Sequence, residues 1–320
     1  MKIFTQLATA LCLLLTVSGN ALGQTYPART IRMLVGFPPG GGTDIIARIV
    51  AQKLSENLGQ QVVVDNRAGA SGILAAELTA RAAPDGYTIM MAHPAAMAIL
   101  PSLMPKLSYD PQKDFTAISL AATGPDLLVV HPSIPAKTVT ELIAVAKARP
   151  GQLQYASAGV GTNLGGELLK LQGGIDMLHV PYKGSGQLIL DLVAGHVHLN
   201  FAAIPVVLNY VRQGKLHAIA VTSPKRSSLL PGIPTFMESG IDIDMSNWWG
   251  LVAPSGVAKD VIERLHEETA RVLRLADVKE RIAVLGVEPV GNSPADFAAF
   301  IRSESTKYGR LIKATGIKID

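Results

Sequence analysis

The chain has 320 residues, of which 48% are hydrophobic and 17% charged, and its formal net charge at pH 7 is +4. This balance excludes a disordered chain and a strongly cationic nucleic-acid binder. The single cysteine, Cys12, excludes a disulfide framework and a cysteine-ligated zinc site. The length is sufficient for two domains with cores of their own.

The first 23 residues have the pattern of a cleaved secretion signal. Lys2 supplies a positive charge, residues 7–17 form an apolar run, and the small residues Ala21 and Gly23 precede Gln24. The apolar run is only about half of the roughly 20 residues that a membrane-spanning helix needs, which argues against an anchor. We predict a signal peptide at residues 1–23 and a secreted, soluble mature chain.

After this segment, short apolar runs alternate with amphipathic stretches, a pattern typical of βα units and of largely parallel sheets. We predict strands at residues 31–36, 62–64 and 87–92, and helices at residues 44–58 and 73–83. The same order of strand, glycine-rich loop and helix recurs at residues 153–171, 177–194 and 196–211. Ser293 as cap and Pro294 in the first turn predict a last helix that runs to about Lys313.

One internal match indicates how the chain is divided. Residues 130–141 align with residues 252–263 at an offset of 122, and seven of the twelve positions are identical. Each copy is an apolar strand, a proline and a helix, so a two-lobed protein whose chain crosses twice between lobes explains the match; chance similarity is the alternative. We predict lobe 1 at residues 24–123 plus 220–320, and lobe 2 at residues 124–219.

A glycine-rich loop at residues 36–44 follows the first predicted strand. Its consecutive glycines, Gly40, Gly41 and Gly42, let backbone amides crowd together, and the next helix adds its partial positive charge. The loop therefore suits an anion, although no Gly-Lys-Ser/Thr sequence of a phosphate-binding loop follows. The alternative is a tight turn in which Thr43 or Asp44 caps the helix.

A second such loop lies at residues 157–166. Gly159 and Gly161 resemble the start of a dinucleotide fingerprint, but Leu164 stands where the third glycine is required. Bare amides together with the hydroxyls of Ser157 and Thr162 suit a carboxylate better than a nucleotide. Two such loops in opposing lobes predict a clamp that closes on a small acid.

Other candidates follow predicted strands. Arg67 is predicted either to place a guanidinium near the cleft or to form a salt bridge. His93 follows a predicted strand at the position where an open α/β sheet binds ligands. Tyr182 is predicted to form part of the cleft wall. The histidines show no spacing typical of a metal site. Because nucleophile motifs such as G-x-S-x-G and H-E-x-x-H are absent from the sequence, we predict no enzyme, no metal and no cofactor, and keep an α/β enzyme acting on a small acid as an alternative.

Several motifs together resemble a known family. They are FPPGGGTD at residues 37–44, VVDNRAGASG at 63–72, PDGYT at 84–88, HPSIPAK at 131–137, YASAGVG at 155–161, HVPYKG at 179–184, GKLHAIAVTS at 214–223 and WGLVAP at 249–254. In this order they resemble the tripartite tricarboxylate transporter substrate-binding proteins, the Bug family. The resemblance implies a periplasmic, monomeric type II solute-binding protein: an α/β fold with two lobes, each a mostly parallel sheet flanked by helices, and a ligand cleft between them. It implies delivery of a small carboxylate to a membrane transporter or, alternatively, to a sensor kinase, without nucleic acid.

The resemblance also assigns a ligand site. It implies that residues 37–43 and 157–162 hold a carboxylate with backbone amides and hydroxyls. Two positions depart from the family pattern: Ala202 stands where an aspartate often follows the phenylalanine, and Asn163 stands in a loop where a histidine is common. These departures predict a less polar or aromatic carboxylate rather than an amino acid. The predicted ligand-binding residues are Phe37, Gly40, Gly41, Gly42, Thr43, Asp44, Arg67, His93, Ser157, Gly159, Gly161, Thr162, Asn163, Tyr182 and Ala202.

Overall fold

The computed structural model describes residues 26–104 and 106–317, and the predicted signal peptide lies outside the described residues. The strands are β1 (Ile31–Val35), β2 (Val62–Asn66), β3 (Thr88–Ala92), β4 (Phe115–Val130), β5 (Gln154–Ser157), β6 (Leu178–Pro181), β7 (Leu199–Ala203), β8 (His217–Val221), β9 (Ser246–Pro254) and β10 (Glu288–Pro289). The helices are α1 (Gly42–Leu58), α2 (Ile73–Ala80), α3 (Leu100–Leu103), α4 (Val139–Ala148), α5 (Val160–Gly173), α6 (Ser185–Ala194), α7 (Ile204–Arg212), α8 (Lys259–Arg274), α9 (Ala276–Ala283) and α10 (Pro294–Thr315). The predicted βα alternation is confirmed, although α2 ends at Ala80 rather than at residue 83.

Two parallel sheets are joined through two long strands. Strands β1, β2 and β3 are parallel, and so are β5, β6 and β7. The order along the sheet is β2-β1-β3-β9-β4-β7-β5-β6, with β8 and β10 also paired to β4. The first part of the 16-residue β4 pairs antiparallel with β9, and its last five residues pair with β7 and β8. This is the two-lobed α/β architecture that the sequence predicts, with β4 and β9 between the lobes.

The helices cover both faces of each sheet because their apolar residues recur at helical spacing. On α1 the predicted buried positions Ile46, Val50, Leu54 and Leu58 all pack against the first sheet. Full burial of such a side chain contributes about 1.5–3 kcal/mol relative to exposure. These contacts fix α1 so that its first turn lies where β1 ends.

Residues 217–245 pack with the second sheet. Strand β8 pairs with the last residues of β4, and the ring of Phe236 stacks on Phe201 of β7 at 5.7 Å. The main-chain N–H of Met245 donates to the carbonyl of Thr222 at 2.9 Å. The chain therefore leaves this sheet near Met245, at the start of β9, whereas the sequence prediction returns to lobe 1 at residue 220.

Helix α10 packs against both halves of the molecule. Its beginning lies on the first sheet, where Phe297 meets Trp248 edge to face at 5.7 Å. Near its end, Tyr308 and Ile312 pack in the core of the second sheet. The predicted cap is confirmed, since the Ser293 hydroxyl accepts a hydrogen bond from the N–H of Asp296 at 3.1 Å.

Candidate functional site

Loops of the two lobes approach each other where the parallel strands end. A methyl group added at Gly159, after β5, would lie 3.8 Å from Oγ of Ser71, after β2. A methyl group at Gly161 would lie 3.7 Å from Cδ1 of Ile99. The candidate site therefore lies at the carboxyl edge of both sheets, where open α/β folds bind ligands.

The loop after β1 presents the start of a helix to this edge. Gly41 is the N-cap of α1, and its first turn has no side-chain cap. The first N–H groups of a helix lack acceptors within it and carry its partial positive charge. The helix begins at Gly42, two residues earlier than predicted, so the alternative in which Thr43 or Asp44 is the cap is wrong.

The buried carboxylate of Asp44 stabilises the loop after β1. It is 2% exposed, and its Oδ2 accepts hydrogen bonds from the N–H of Gly40 and from Nε of Arg48, both at 2.9 Å. Its Oδ1 accepts from Nδ2 of Asn66 at 2.9 Å, and this amide also donates to the carbonyl of Phe37 at 3.0 Å. Burial acts to raise the pKa of Asp44, but the hydrogen bonds from Arg48, Gly40 and Asn66 outweigh it and lower the pKa. The carboxylate therefore shapes the loop.

The loops after β1 and β2 touch through their backbones. A Cβ atom at Gly36 would lie 2.6 Å from Cα of Gly72, so no side chain fits there. Ala70 and Ser71 have positive φ values of 45° and 54°, a left-handed conformation that residues other than glycine rarely adopt. This tight turn directs the second loop toward the opposing lobe.

Arg67 was predicted either to lie near the cleft or to form a salt bridge, and the structure shows a salt bridge with Asp65. Its Nε lies 3.0 Å from Oδ1 of Asp65, whose Oδ2 is 2.5 Å from Nε of Arg32. The Arg67 side chain is 47% exposed. The two guanidinium groups, although opposed by desolvation, lower the pKa of Asp65.

Thr43 has a hydroxyl group with a free proton. The indole N–H of Trp249 donates to Oγ1 of Thr43 at 3.0 Å. An indole nitrogen can only donate, so the hydroxyl is the acceptor. Its own proton meets no acceptor within residues 26–104 and 106–317, and the residue is 5% exposed. Thr43 is therefore a ready donor at the beginning of α1.

His93 is neutral at physiological pH. Its ring meets Phe37 edge to face at 4.8 Å and lies 6.1 Å from the ring of Trp249. Burial of the ring lowers the pKa of His93 to about 3, opposed by a hydrogen bond with Asn247. Since Nδ1 accepts from the N–H of Ala95 at 3.3 Å, the neutral ring carries its proton on Nε2.

On the opposite lobe, Ser157 pairs with a histidine. Its Oγ lies 2.7 Å from Nε2 of His179, whose ring stacks on Tyr155 at 4.8 Å. Ser157 is 4% exposed. When Nε2 of His179 carries the ring proton, it donates a hydrogen bond to Oγ of Ser157, and the Ser157 hydroxyl can donate its own proton to another acceptor.

Thr162 stabilises its own loop. Its hydroxyl donates to the carbonyl of Gly159 at 3.0 Å and accepts from the N–H of Ala158 at 3.2 Å. Both capacities are used inside the loop, in contrast to Thr43. Gly159 is the N-cap of α5 and no side chain caps this helix, so a second helix start faces the cleft.

Three predicted residues have other partners. Oδ1 of Asn163 lies 2.8 Å from the hydroxyl of Tyr155, which fastens the first turn of α5 to β5. The hydroxyl of Tyr182 donates to Oδ2 of Asp191 at 2.8 Å, within the same lobe. Ala202 is 6% exposed and belongs to an apolar cluster with Val207, so it brings no polar group to the site.

The sequence reading missed Asp126 and Asn247. Nδ2 of Asn247, on β9, donates to Oδ1 of Asp126, on β4, at 2.6 Å. Asp126 is 6% exposed, and burial raises its pKa to about 7, although the hydrogen bond from Asn247 opposes the rise. The available signal was that Asp126 is the only charged residue in the apolar segment 115–130.

Comparison with known proteins places these features in a family. The family model described as "Tripartite tricarboxylate transporter family receptor" matches residues 46–317. The curated protein BugT of Bordetella pertussis is 36% identical over 98% of this chain and 99% of its own length. A solved "periplasmic transporter" is 38% identical, with a TM-score of 0.86 over 92% of this chain and 100% of that chain. An R. palustris protein solved with adipate is 34% identical, with a TM-score of 0.86 over 92% of this chain and 99% of that chain.

The described residues contain neither a membrane-spanning helix nor a metal-binding cluster. No helix among residues 26–104 and 106–317 is long and apolar enough to cross a membrane. In the same part of the chain, no three histidine, cysteine, aspartate or glutamate side chains are grouped so that they could hold a metal ion.

Proposed function

The chain belongs to the tripartite tricarboxylate transporter receptor family, and we propose that it captures a small carboxylate between its lobes and presents it to a membrane transporter of that class. Its relatives include proteins described as periplasmic. We extend this to a cleaved signal peptide at residues 1–23 and to a monomer as the working form.

The observation that carries the proposal is that two helix starts without a side-chain cap, one in each lobe, lie at the carboxyl edge where loops of the lobes approach each other. Helix α1 begins after Gly41 and α5 after Gly159. A methyl group added at Gly159 would lie 3.8 Å from Oγ of Ser71, in the loop after β2 that touches the loop after β1. Both helix ends offer N–H donors and a partial positive charge, which together favour an anion. The free O–H of Thr43 adds a directed donor. An anion between these groups would join the lobes without any cationic side chain.

The proposed ligand class is a carboxylate with a second polar end. The related R. palustris protein was solved with adipate, a dicarboxylate. The preference for a less polar or aromatic carboxylate, predicted from Ala202 and Asn163, stays a prediction. A screen that contains aliphatic and aromatic acids decides between the two.

Lobe boundaries follow the packing in this proposal. We assign residues 26–124 and 246–317 to lobe 1 and residues 125–245 to lobe 2, because residues 217–245 pack with the second sheet. Strands β4 and β9 then serve as the hinge. Small-angle X-ray scattering with and without ligand measures the closure that this hinge permits.

We propose that the protein binds its ligand without changing it. Ser157 and His179 are within hydrogen-bond distance of each other, as a nucleophile and its base would be in an enzyme. Whether the ligand is chemically unchanged after incubation with the protein is therefore a direct test. Chromatography after long incubation is expected to return the acid unchanged. The alternative partner is a sensor kinase. Co-purification of the protein with the transporter or with the kinase distinguishes the two.

The decisive experiment is a thermal-shift screen of the chain from Gln24 onward, followed by calorimetry. The ligands are adipate, other di- and tricarboxylates, aromatic carboxylates, amino acids and nucleotides. A carboxylate at 100 times its Kd is expected to stabilise the protein by about 2.7 kcal/mol. Stabilisation by nucleotides alone, or by no carboxylate, would overturn the proposed function.

A further inference from the structure

Asp126 lies at the edge of the second sheet that faces the cleft. It is the residue of β4 that pairs with Ala203, at the carboxyl end of β7. Its Oδ1 accepts from Nδ2 of Asn247 at 2.6 Å, and Asn247 in turn reaches His93, which touches Phe37 of the first loop. A short chain of polar groups therefore leads from Asp126 to the predicted ligand site.

The second oxygen of this carboxyl has no donor. Within the described parts of the chain, Oδ2 of Asp126 accepts no hydrogen bond from the protein, and it is not one of the fully buried unpaired atoms, so this oxygen reaches solvent although the residue is only 6% exposed. A buried carboxylate is stabilised by several donors or by a cation, and a single amide is a poor substitute. The site therefore suits a carboxylic acid better than a carboxylate, in agreement with the raised pKa of Asp126.

Among the residues that the structure describes, the ionisable groups around Asp126 do not supply a free cation. From α10, Glu304, Lys307 and Tyr308 face this region, and from the segment before β9, Asp244 does. Nζ of Lys307 lies 2.7 Å from Glu304 and 3.7 Å from Asp244, so its charge is already used. His93, on the remaining side, is neutral.

We propose that Asp126 is a ligand-binding residue that acts as a carboxylic acid, so that the cleft takes up one proton together with its carboxylate ligand. This inference rests on the proposed function, and it adds a ligand-binding residue and a link between ligand binding and proton uptake. The proton comes from solvent and stays on Oδ2 of Asp126, from where it is donated to an acceptor oxygen of the ligand. An ionised Asp126 would instead repel the anion in a buried site.

Calorimetry of the wild-type chain with adipate measures the coupling. Titrations at pH 8 in phosphate and in Tris, whose ionisation enthalpies differ, give the number of protons taken up. The expected uptake is close to one proton per ligand, and Kd is expected to rise about tenfold between pH 6 and pH 8. If adipate does not bind, the strongest carboxylate of the screen replaces it.

Two matched variants assign the proton. Asp126→Asn keeps the shape and an N–H donor, so it is expected to bind adipate with no proton uptake and no change in Kd between pH 6 and pH 8. Asp244→Asn removes a neighbouring acid that pairs with Lys307 and is expected to behave as the wild type. Proton uptake that persists in Asp126→Asn would assign the proton to another group, such as His179, and overturn the inference.

The remaining outcomes are also informative. Binding of adipate by the wild type without proton uptake overturns the inference and leaves the proposed function intact, whereas absence of binding by every carboxylate overturns the proposed function. If Asp126→Asn does not fold, the ¹³C carboxyl resonance of Asp126 in the wild type gives the answer. A protonated shift at pH 8 with adipate is expected, and an ionised one contradicts the inference.

Discussion

The indole N–H of Trp249 donates to the hydroxyl oxygen of Thr43 across 206 positions of sequence, at 3.0 Å. The bond joins β9, one of the two strands between the lobes, to the first turn of α1. The indole nitrogen can only donate, so the hydroxyl is the acceptor in this bond and its own proton stays available for another acceptor. Strand β9 and the start of α1 are therefore held in a fixed relation.

Replacing Trp249→Phe tests this relation. The ring volume is largely kept, but the donor to Thr43 is lost and the hydroxyl is free to rotate. We expect a loss of stability of about 1 kcal/mol and a fall in affinity for carboxylates of about threefold to tenfold. Calorimetry and thermal unfolding measure the two effects.

The neighbouring tryptophan provides the control. Nε1 of Trp248 donates to Oε2 of Glu304 on α10 at 3.2 Å, and not to a residue of a glycine-rich loop. Trp248→Phe is expected to lower the melting temperature by a similar amount and to leave Kd unchanged. Equal losses of affinity in both variants would show that Thr43 has no special role.

In the proposed function, closure of the lobes requires that residue 159 has no large side chain. Its φ of 163° is extended backbone that any residue adopts, so a substitution acts through space alone. Ala fits, because its methyl group would lie 3.8 Å from Ser71 Oγ. Gly159→Leu is expected to keep the lobes apart and to weaken binding at least tenfold, with no decrease of the radius of gyration when adipate is added.

Gly184 is a matched control for this variant. It is the N-cap of α6 in the same lobe, is also extended, with φ of −175°, and has no atom within 4 Å of an added Cβ. Gly184→Leu is expected to bind as the wild type does. If Gly159→Leu closes normally on adipate, the opposition of the loops is not part of binding.

The sequence predicted most of the elements because hydrophobic spacing and helix signals agree locally. The buried positions of α1 and the Ser293 cap of α10 are examples. The start of α1 was predicted two residues late, because Asp44 resembles an N-cap in the sequence. In the structure its carboxylate accepts hydrogen bonds from the side chains of Arg48 and Asn66. Such a role depends on a contact between β2 and α1 that spacing does not reveal.

Long-range pairing accounts for the other differences. The return to lobe 1 was predicted at residue 220, but Thr222 accepts a hydrogen bond from the N–H of Asp126 on β4, and Phe236 stacks on Phe201 of β7. No local signal marks these contacts. Asp126 was visible as a charge in an apolar strand, yet its importance depends on its partner Asn247, 121 positions away. Composition and periodicity identify a buried polar residue but not the group it faces.

Asp44→Asn is expected to loosen the first loop. The ion pair with Arg48 is lost, and the new amide presents N–H groups toward donors that it cannot bind. We expect a stability loss of about 1–3 kcal/mol and a similar fractional loss of affinity for every carboxylate. The control is Glu56→Gln, which removes an exposed ion pair with Lys53 on the same helix and is expected to change stability by less than about 0.5 kcal/mol.

The same group predicts how stability responds to acid. The pKa of Asp44 is lowered in the folded protein from its ordinary value of 3.8, so its stabilising effect is present above pH 3.8 and is lost as the pH falls through the native pKa. The wild-type chain and Asp44→Asn are therefore expected to converge in melting temperature below pH 3.8. A difference in melting temperature between the two proteins that stays constant as the pH falls well below 3.8 would contradict this role of Asp44.

Asp126 has the opposite effect on the ligand-free protein. Its pKa rises from 3.8 unfolded to about 7 folded, so folding favours the proton and stability is lost as the pH rises from 3.8 through 7. Asp126→Asn removes this cost and is expected to stabilise the chain by about 2.5 kcal/mol more at pH 8 than at pH 5. Thermal unfolding at the two pH values, without ligand, measures the difference, and Asp244→Asn is the control because its carboxyl pairs with Lys307. An equal effect of Asp126→Asn at both pH values would mean that the carboxyl is ionised throughout, and the proton would then have to be supplied by another group.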